Sequence, residues 1–301
     1  MKKILSLMLC VAIALTMTVI GMTAVHAETV VSGDYAYEML TDGNIVITGY
    51  SGYDSVLEIP AVLDGYAVEA IGDWAFVDCD FLVEVTIPEG VTELGYGSFW
   101  NCAMLEHVSV PETLSSLGEW SFNGCICLTD ITLPASINEI GEGVFAGCSA
   151  LQMEIPDTVI AIGRRAFIDT PAMTSVTIGR TVTVIGEEAF GYLSDGKGAQ
   201  KRTDFTIVGY RNTAAQRYAE ENELPFSAID NYVIGDADRD GEVTIFDATR
   251  IQRYLAELVT QEDIDLDASD VDGDGEVTIF DTTRIQRYLA QLSNLDGTPF
   301  E

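Results

Sequence analysis

The chain has 301 residues, 48% of them apolar and 27 of them glycine, a composition that suits folded domains with buried cores and excludes a wholly disordered protein. Its formal charge of −33, from 48 acidic against 15 basic side chains, excludes nucleic acid and anionic membrane surfaces as partners, because phosphate contacts need clustered Lys and Arg. Such acidity keeps a protein soluble and accompanies sites that hold cations.

In chain order, Lys2-Lys3, the apolar run Ile4 to Ile20 and the small residues around Val25-His26-Ala27 predict a secretory signal peptide over residues 1–27, with an uncleaved anchor helix as the alternative. Cys10 follows bulky Leu9 in mid-run and does not fit a lipoprotein cysteine. Tyr35 to Tyr50 reads as a hairpin turned at Asp42-Gly43.

A repeat follows over residues 60 to 192. Phe76, Phe99, Phe122, Phe145, Phe167 and Phe190 recur at intervals of 23, 23, 23, 22 and 23 residues, each preceded by an Ile-Gly or Leu-Gly pair such as Leu94-Gly95. Leu82, Val85 and Ile87 have the spacing that puts three apolar side chains on the inner side of one short strand, and the other half of the rung is expected to return through a turn and a helical loop. One rung cannot close its own core, so rungs stack and share one. A residue is missing between Cys148 and Ile155, and Thr170 takes the place of the rung cysteine. Ser194 to Thr203, with Lys197, Lys201 and Arg202, is a polar insertion where contacts are to be sought. Strand-like Phe205 to Tyr210 and a short helix over Thr213 to Asn222 then close the array. The "IP…V…IG…AF…C" rung resembles the leucine-rich repeats of bacterial secreted and surface proteins over residues 55–195, and implies a solenoid with caps spanning 28–232.

Cys79, Cys102, Cys125 and Cys148 share one rung position. Stacked rungs sit ~4.8 Å apart, but their parallel side chains hold the Cβ atoms farther apart than a disulfide prefers, so buried thiols donating to loop carbonyls are expected. No Cys-x-x-Cys pair supports zinc. His107 is the one histidine beyond residue 27 and stands at a polar strand position shared with Glu84, Asp130 and Ser175. No G-x-S-x-G elbow or HExxH helix accompanies it, and close carboxylate pairs are uninformative among 48 acids. No catalytic residue is assigned, and a non-enzyme is expected. Trp74, Trp100 and Trp120 either pack into the returns or form platforms for sugars or a protein.

The last segment contains the same unit twice: DADRDGEVTIFDATRIQRYLAEL at 236–258 and DVDGDGEVTIFDTTRIQRYLAQL at 270–292. Asp236, Asp238 and Asp240 stand at loop positions one, three and five, Gly241 at six, Glu242 with its carbonyl at seven, Thr244 at nine and Asp247 at twelve. Asp270, Asp272, Asp274, Gly275, Glu276, Thr278 and Asp281 repeat them. Carboxylates so close repel one another unless a hard cation sits among them, which points to two Ca²⁺ ions. Position twelve is Asp, not Glu, and no helix is expected to lead into either loop. Ile251, Tyr254, Leu255 and Leu258, with Ile285, Tyr288, Leu289 and Leu292, have the helical spacing that would let two exiting helices pack.

This doubled unit resembles a type I dockerin over residues 233–295, so that the chain is a mixed α/β protein, a leucine-rich repeat solenoid followed by a small all-α module at 233–301. The resemblance implies attachment to a cohesin on a scaffoldin, as in a cellulosome, with Ile245, Phe246, Arg250, Gln252 and Arg253, or Ile279, Phe280, Arg284, Gln286 and Arg287, meeting the partner. Ile-Phe stands where the best-known members have small hydroxyl residues. The implied protein is secreted, extracellular or held at the cell surface through the scaffoldin, and it offers the repeat face to a protein or glycan. The alternatives are a polysaccharide-active enzyme, an adhesin or a protease-regulating component of the same assembly.

Overall fold

The structure, a computed structural model, describes residues 28–211, 213–229 and 233–297. The signal peptide expected over 1–27, and the boundary placed at 232, lie outside the described residues.

Most rungs supply two short strands, where the apolar spacing predicts one; at 130–133 the first is reduced to a single bridge from Asp130 to His107, and at 152–155 it is extended chain without a strand. The predicted strand is Glu84–Thr86, around which Leu82, Val85 and Ile87 are buried. It pairs in parallel with Val56–Glu58 and with His107–Ser109. The second strand coincides with the Leu-Gly or Ile-Gly pairs. Glu93–Leu94 lies parallel to Tyr66–Ile71 and Ser116–Leu117, and Glu139–Ile140, Ala161–Ile162 and Val184–Ile185 form a further parallel row. The glycines at 95, 118, 163 and 186 permit this approach, whereas Gly141 has room to spare: a Cβ on Gly118 would stand 2.3 Å from the carbonyl carbon of Gly95, and one on Gly141 no nearer than 3.6 Å to any neighbour.

The returning half-rungs are turns, and no helix forms in them among the described residues. The reason is where the N–H groups go. Phe76, Phe99 and Phe122 donate to the carbonyls of Ser98, Ser121 and Val144 on the next rung, at 2.8 to 3.0 Å, so these groups are not available to a helical ladder.

The repeat phenylalanines form one buried column. Centroid spacings run from 4.7 Å (Phe167–Phe190) to 5.7 Å (Phe122–Phe145), with planes within 6° over the first three steps. The tilt rises to 27° between Phe145 and Phe167, the step that spans the missing residue. Tyr50 closes one end at 5.3 Å from Phe76, on the hairpin of Tyr35–Met39 and Ile45–Tyr50 that the Asp42-Gly43 signal predicts. The other end is closed by strand Thr206–Gly209 and helix α1 (Ala214–Glu221), as expected. From α1, the Tyr218 hydroxyl accepts from Phe190 N–H and donates to Phe190 O, both at 2.9 Å.

The cysteine ladder consists of free thiols. Cys102, Cys125 and Cys148 donate through Sγ to the carbonyls of Phe76, Phe99 and Phe122 at 3.1, 3.2 and 3.1 Å, one rung back. The expected polar loop at 194–203 is instead a hairpin, Tyr192–Ser194 against Ala199–Lys201. Its Arg202 is buried, not offered for contact: the guanidinium donates to the carbonyls of Thr170, Pro171 and Met173 and pairs with Asp204. It thus satisfies the carbonyls where the cysteine ladder has ended.

The C-terminal unit contains α2 (Ile245–Leu255), a short α3 (Leu266–Ser269) and α4 (Ile279–Leu289). Helices α2 and α4 pack together and bury Ala248, Ile251 and Ile285 with Ala237, Ile264, Ala268 and Val271. Leu255, Leu258, Leu289 and Leu292 remain exposed, because the paired helices meet around Ile251 and Ile285 and, among the described residues, no element covers their C-terminal ends.

Candidate functional site

Both loops are held by one hydrogen-bond scheme. Asp236 accepts from the N–H groups of Asp240 and Gly241 at 3.1 and 2.9 Å, and Asp270 accepts from Asp274 and Gly275 at the same distances. Gly241 and Gly275 share φ of 89°, the left-handed turn that a Cβ would strain. The carboxylates of Asp236, Asp238 and Asp240 thereby converge to within 4.8 Å of one another, and so do those of Asp270, Asp272 and Asp274.

The position-twelve acids also brace the loop and helix backbone. Asp247 accepts from Thr244 N–H at 2.7 Å and Asp238 N–H at 3.1 Å; Asp281 accepts from Thr278, Val271 and Asp272 at 2.7, 2.7 and 3.2 Å. Both are fully buried and tie the start of each loop to the first turn of its helix. They lie outside the three-carboxylate clusters. Thr244 and Thr278 cap α2 and α4 by accepting from Phe246 and Phe280 N–H at 3.1 Å. The side chains of Glu242 and Glu276 are exposed, leaving only their carbonyls as loop ligands.

The residues fit a hard cation. Burial first, then the charges of Asp247 and Asp240, push the Asp238 carboxyl above its ordinary range; burial, Asp281 and Asp274 do the same to Asp272. Oδ1 of Asp238 is buried without a hydrogen-bond partner. An oxygen-only donor set with an orphaned carboxylate oxygen is what Ca²⁺ satisfies.

Two features of the loops differ from the sequence reading. Helix α3 does enter the second loop, started by Asp265, whose carboxylate accepts from Ala268 N–H at 3.0 Å. Arg239, at position four of the first loop, bonds Asp265 and the carbonyl of Ile264 at 3.3 and 3.1 Å, where the second loop has Gly273. The available signal was that this position breaks the repeat: both residues have positive φ, 66° and 73°.

The predicted docking residues are presented on two equivalent helix starts. Ile245 and Phe246 are 52% and 69% exposed, and Ile279 and Phe280 are 53% and 69% exposed. Gln252, Arg253, Gln286 and Arg287 are exposed along the same helices, with Arg250 and Arg284 half-buried. On the solenoid, His107 Nδ1 lies 3.3 Å from Asp130 Oδ1, and the indole pairs Trp74–Trp100 and Trp100–Trp120 lie 5.3 and 5.8 Å apart. Trp100 and Trp120 are half-buried in the returns, while Trp74 is exposed.

Stacked rungs beside a pair of acidic loop–helix units define a repeat protein that carries a calcium module. Residues 69–197 match the BspA type leucine rich repeat region in 6 copies, and residues 234–290 match the dockerin type I domain. The chain thus carries a BspA-type leucine-rich repeat region with a type I dockerin domain C-terminal to it. Type I dockerin domains bind calcium and have cohesin as their partner. The two regions are of kinds that are typically non-catalytic.

Among solved structures, a leucine rich repeat protein of T. pallidum is 22% identical, covering 66% of this chain and 98% of that one with a TM-score of 0.49. A leucine rich cell surface protein of Faecalibacterium prausnitzii is 25% identical over 62% and 65%, TM-score 0.43. A leucine-rich repeat protein of Bacteroides capillosus is 28% identical over 45% and 96%, TM-score 0.35. No curated protein matches the chain. No helix among the described residues is long and apolar enough to cross a membrane.

Proposed function

We propose that this chain is a non-catalytic, secreted subunit that plugs into a cohesin of a scaffoldin through two calcium-filled loops and offers its solenoid to a protein or glycan. Residues 28–232 form the repeat domain and 233–301 the plug. The observation that carries this reading is the duplicated loop with an exposed Ile-Phe pair at the head of each exiting helix. A calcium buffer has no use for two large apolar side chains in water, whereas a docking face does. The metal would be held by the side chains of Asp236, Asp238, Asp240 and Asp247 with the Glu242 carbonyl and the Thr244 position, and by Asp270, Asp272, Asp274, Asp281, Glu276 and Thr278 in the second loop. When bound, it neutralises carboxylates that otherwise repel one another. Each face then presents Ile245, Phe246, Arg250, Gln252 and Arg253, or Ile279, Phe280, Arg284, Gln286 and Arg287.

The test is capture of the full chain by immobilised type I cohesins, with calcium and with excess EDTA. Retention by at least one cohesin in calcium, and its loss in chelator, is expected. Equal retention in both conditions would refute the calcium-dependent plug.

A further inference from the structure

The duplicated faces match in sequence, but the chain beyond α4 treats them differently. After Leu292 the backbone turns back over the second unit. Ser293 is 1% exposed, Leu295 packs with the helix-pair core, and Gly297 lies against Arg284, where a Cβ would stand 3.0 Å from Nη1. Arg287 Nε donates to Ser293 Oγ at 3.4 Å, Arg284 Nη1 donates to Leu295 O at 3.4 Å, and Arg284 Nε pairs with Asp272 at 3.5 Å. Two of the five residues assigned to the second face are thus engaged within the chain.

Among the described residues, the first face has no such cover. Val259 stands where Ser293 follows the other helix, and it has no hydroxyl to offer Arg253. Beyond it the chain forms a short turn at Gln261–Asp263 and leads on to α3. Asp263 holds its carboxyl low chiefly through the Thr260 N–H and hydroxyl, with Arg250 and Arg253 as weaker charges farther off. Among the described residues neither arginine has a hydrogen bond or an ion pair in the first unit.

We infer that the C-terminal segment Ser293–Gly297 makes the two docking faces unequal, leaving Ile245, Phe246, Arg250 and Arg253 as the preferred face for the cohesin. To dock through the second face, a partner must compete with Ser293 and Leu295 for guanidinium groups whose counterparts on the first face make no hydrogen bond or ion pair among the described residues. At 3.4 Å these part-buried hydrogen bonds are long and individually weak, so the segment biases the choice and does not forbid the second mode. The inference rests on the cohesin-docking reading for its consequence, but the grip on Arg284 and Arg287 is a property of the chain alone.

Two measurements separate these. Phenylglyoxal labelling of the calcium-loaded full chain, followed residue by residue by mass spectrometry, should modify Arg250 and Arg253 several-fold faster than Arg284 and Arg287; Ser293→Ala should speed Arg287 selectively. Equal rates at the paired positions would overturn the inference without reference to any partner. Titration with a type I cohesin that binds the natural chain should then show Ile245→Asp/Phe246→Asp weakening affinity about five-fold more than Ile279→Asp/Phe280→Asp, with the gap closing to about two-fold when the chain ends at Leu292. A cooperative dockerin melting transition in calcium, lowered by the loss of Leu295 from the core, is the control that the shortened chain folds. Equal losses in the full-length pair would sink the bias. Unequal labelling together with no binding to any cohesin would uphold the grip and count against the docking reading.

Discussion

At the scale of single residues, the buried thiols of the ladder make the solenoid sensitive to high pH. Burial, chiefly, pushes the Cys79 thiol from 9.0 up to about 12 and holds Cys148 well above its ordinary value. The sign follows directly. A thiol whose folded pKa exceeds its unfolded one contributes its full stability below about pH 9 and loses it as pH rises toward the folded pKa, since the unfolded chain ionises first. Solenoid melting temperature is therefore expected to fall from about pH 9 upward, and replacing Cys79 and Cys148 by Ser should flatten that decline. Tyr35 contributes in the same direction, raised from 10.0 to about 12 by burial and then by Asp54 and Asp34. Native alkylation should reach half-buried Cys127 first and leave Cys102, Cys125 and Cys148 unreacted until unfolding; fast reaction of the ladder under native conditions would contradict the packing described. In the dockerin, Asp281→Ala removes the acceptor of three backbone N–H groups at once. A loss of at least about 3 kcal/mol is expected, read as lost helicity in calcium, with Asp281→Asn intermediate because its Oδ1 still accepts.

At the scale of elements, the rungs depend on two devices, the aromatic column and, at Gly95, Gly118, Gly163 and Gly186, the close-approach glycine. Gly118→Ala places a methyl 2.3 Å from Gly95 backbone, which neither rung can yield without breaking the parallel register of Leu94 and Leu117. A destabilisation of about 3 kcal/mol is expected, comparable with cutting Phe122→Ala out of the column, although the alanine adds atoms where the phenylalanine change removes them. Urea titration of the two variants checks this; a neutral Gly118→Ala would mean that the rungs can separate. The loop–helix unit depends on its cap: Thr244 and Asp247 form a reciprocal box at the head of α2, and Thr278 and Asp281 repeat it on α4. Loop and helix are one element, since the acid that closes the loop also starts the helix.

For the whole molecule, two cores that share no residue predict two melting transitions. Excess EDTA should abolish or sharply lower the one belonging to the dockerin, because its small core of Ala248, Ile251, Ile285 and their neighbours cannot offset repulsion within two acidic clusters. The solenoid transition should stay within about 2 °C, as its stability comes from stacked rungs without metal. Calorimetry of the full chain in calcium and in chelator distinguishes the cases, and a single transition that moves as a unit would show that the modules are coupled.

Period and duplication were legible without coordinates. A phenylalanine every 22 or 23 residues requires a shared core, and four acids at positions one, three, five and twelve, written twice, point to a cation site. Such patterns are local and repeated, so chain order suffices to read them. Others depend on contacts between residues far apart along the chain. The second strand of each rung exists because Leu94 meets Ile71 and Leu117 across neighbouring rungs, and the returns stay as turns because their N–H groups bond forward to the next rung. Arg202 reads as a surface cation, yet it is buried because the carbonyls of Thr170, Pro171 and Met173 need donors at the end of the ladder. The two helices of identical pattern differ for the same reason. Only folding brings Ser293 and Leu295 over one of them and leaves the other bare.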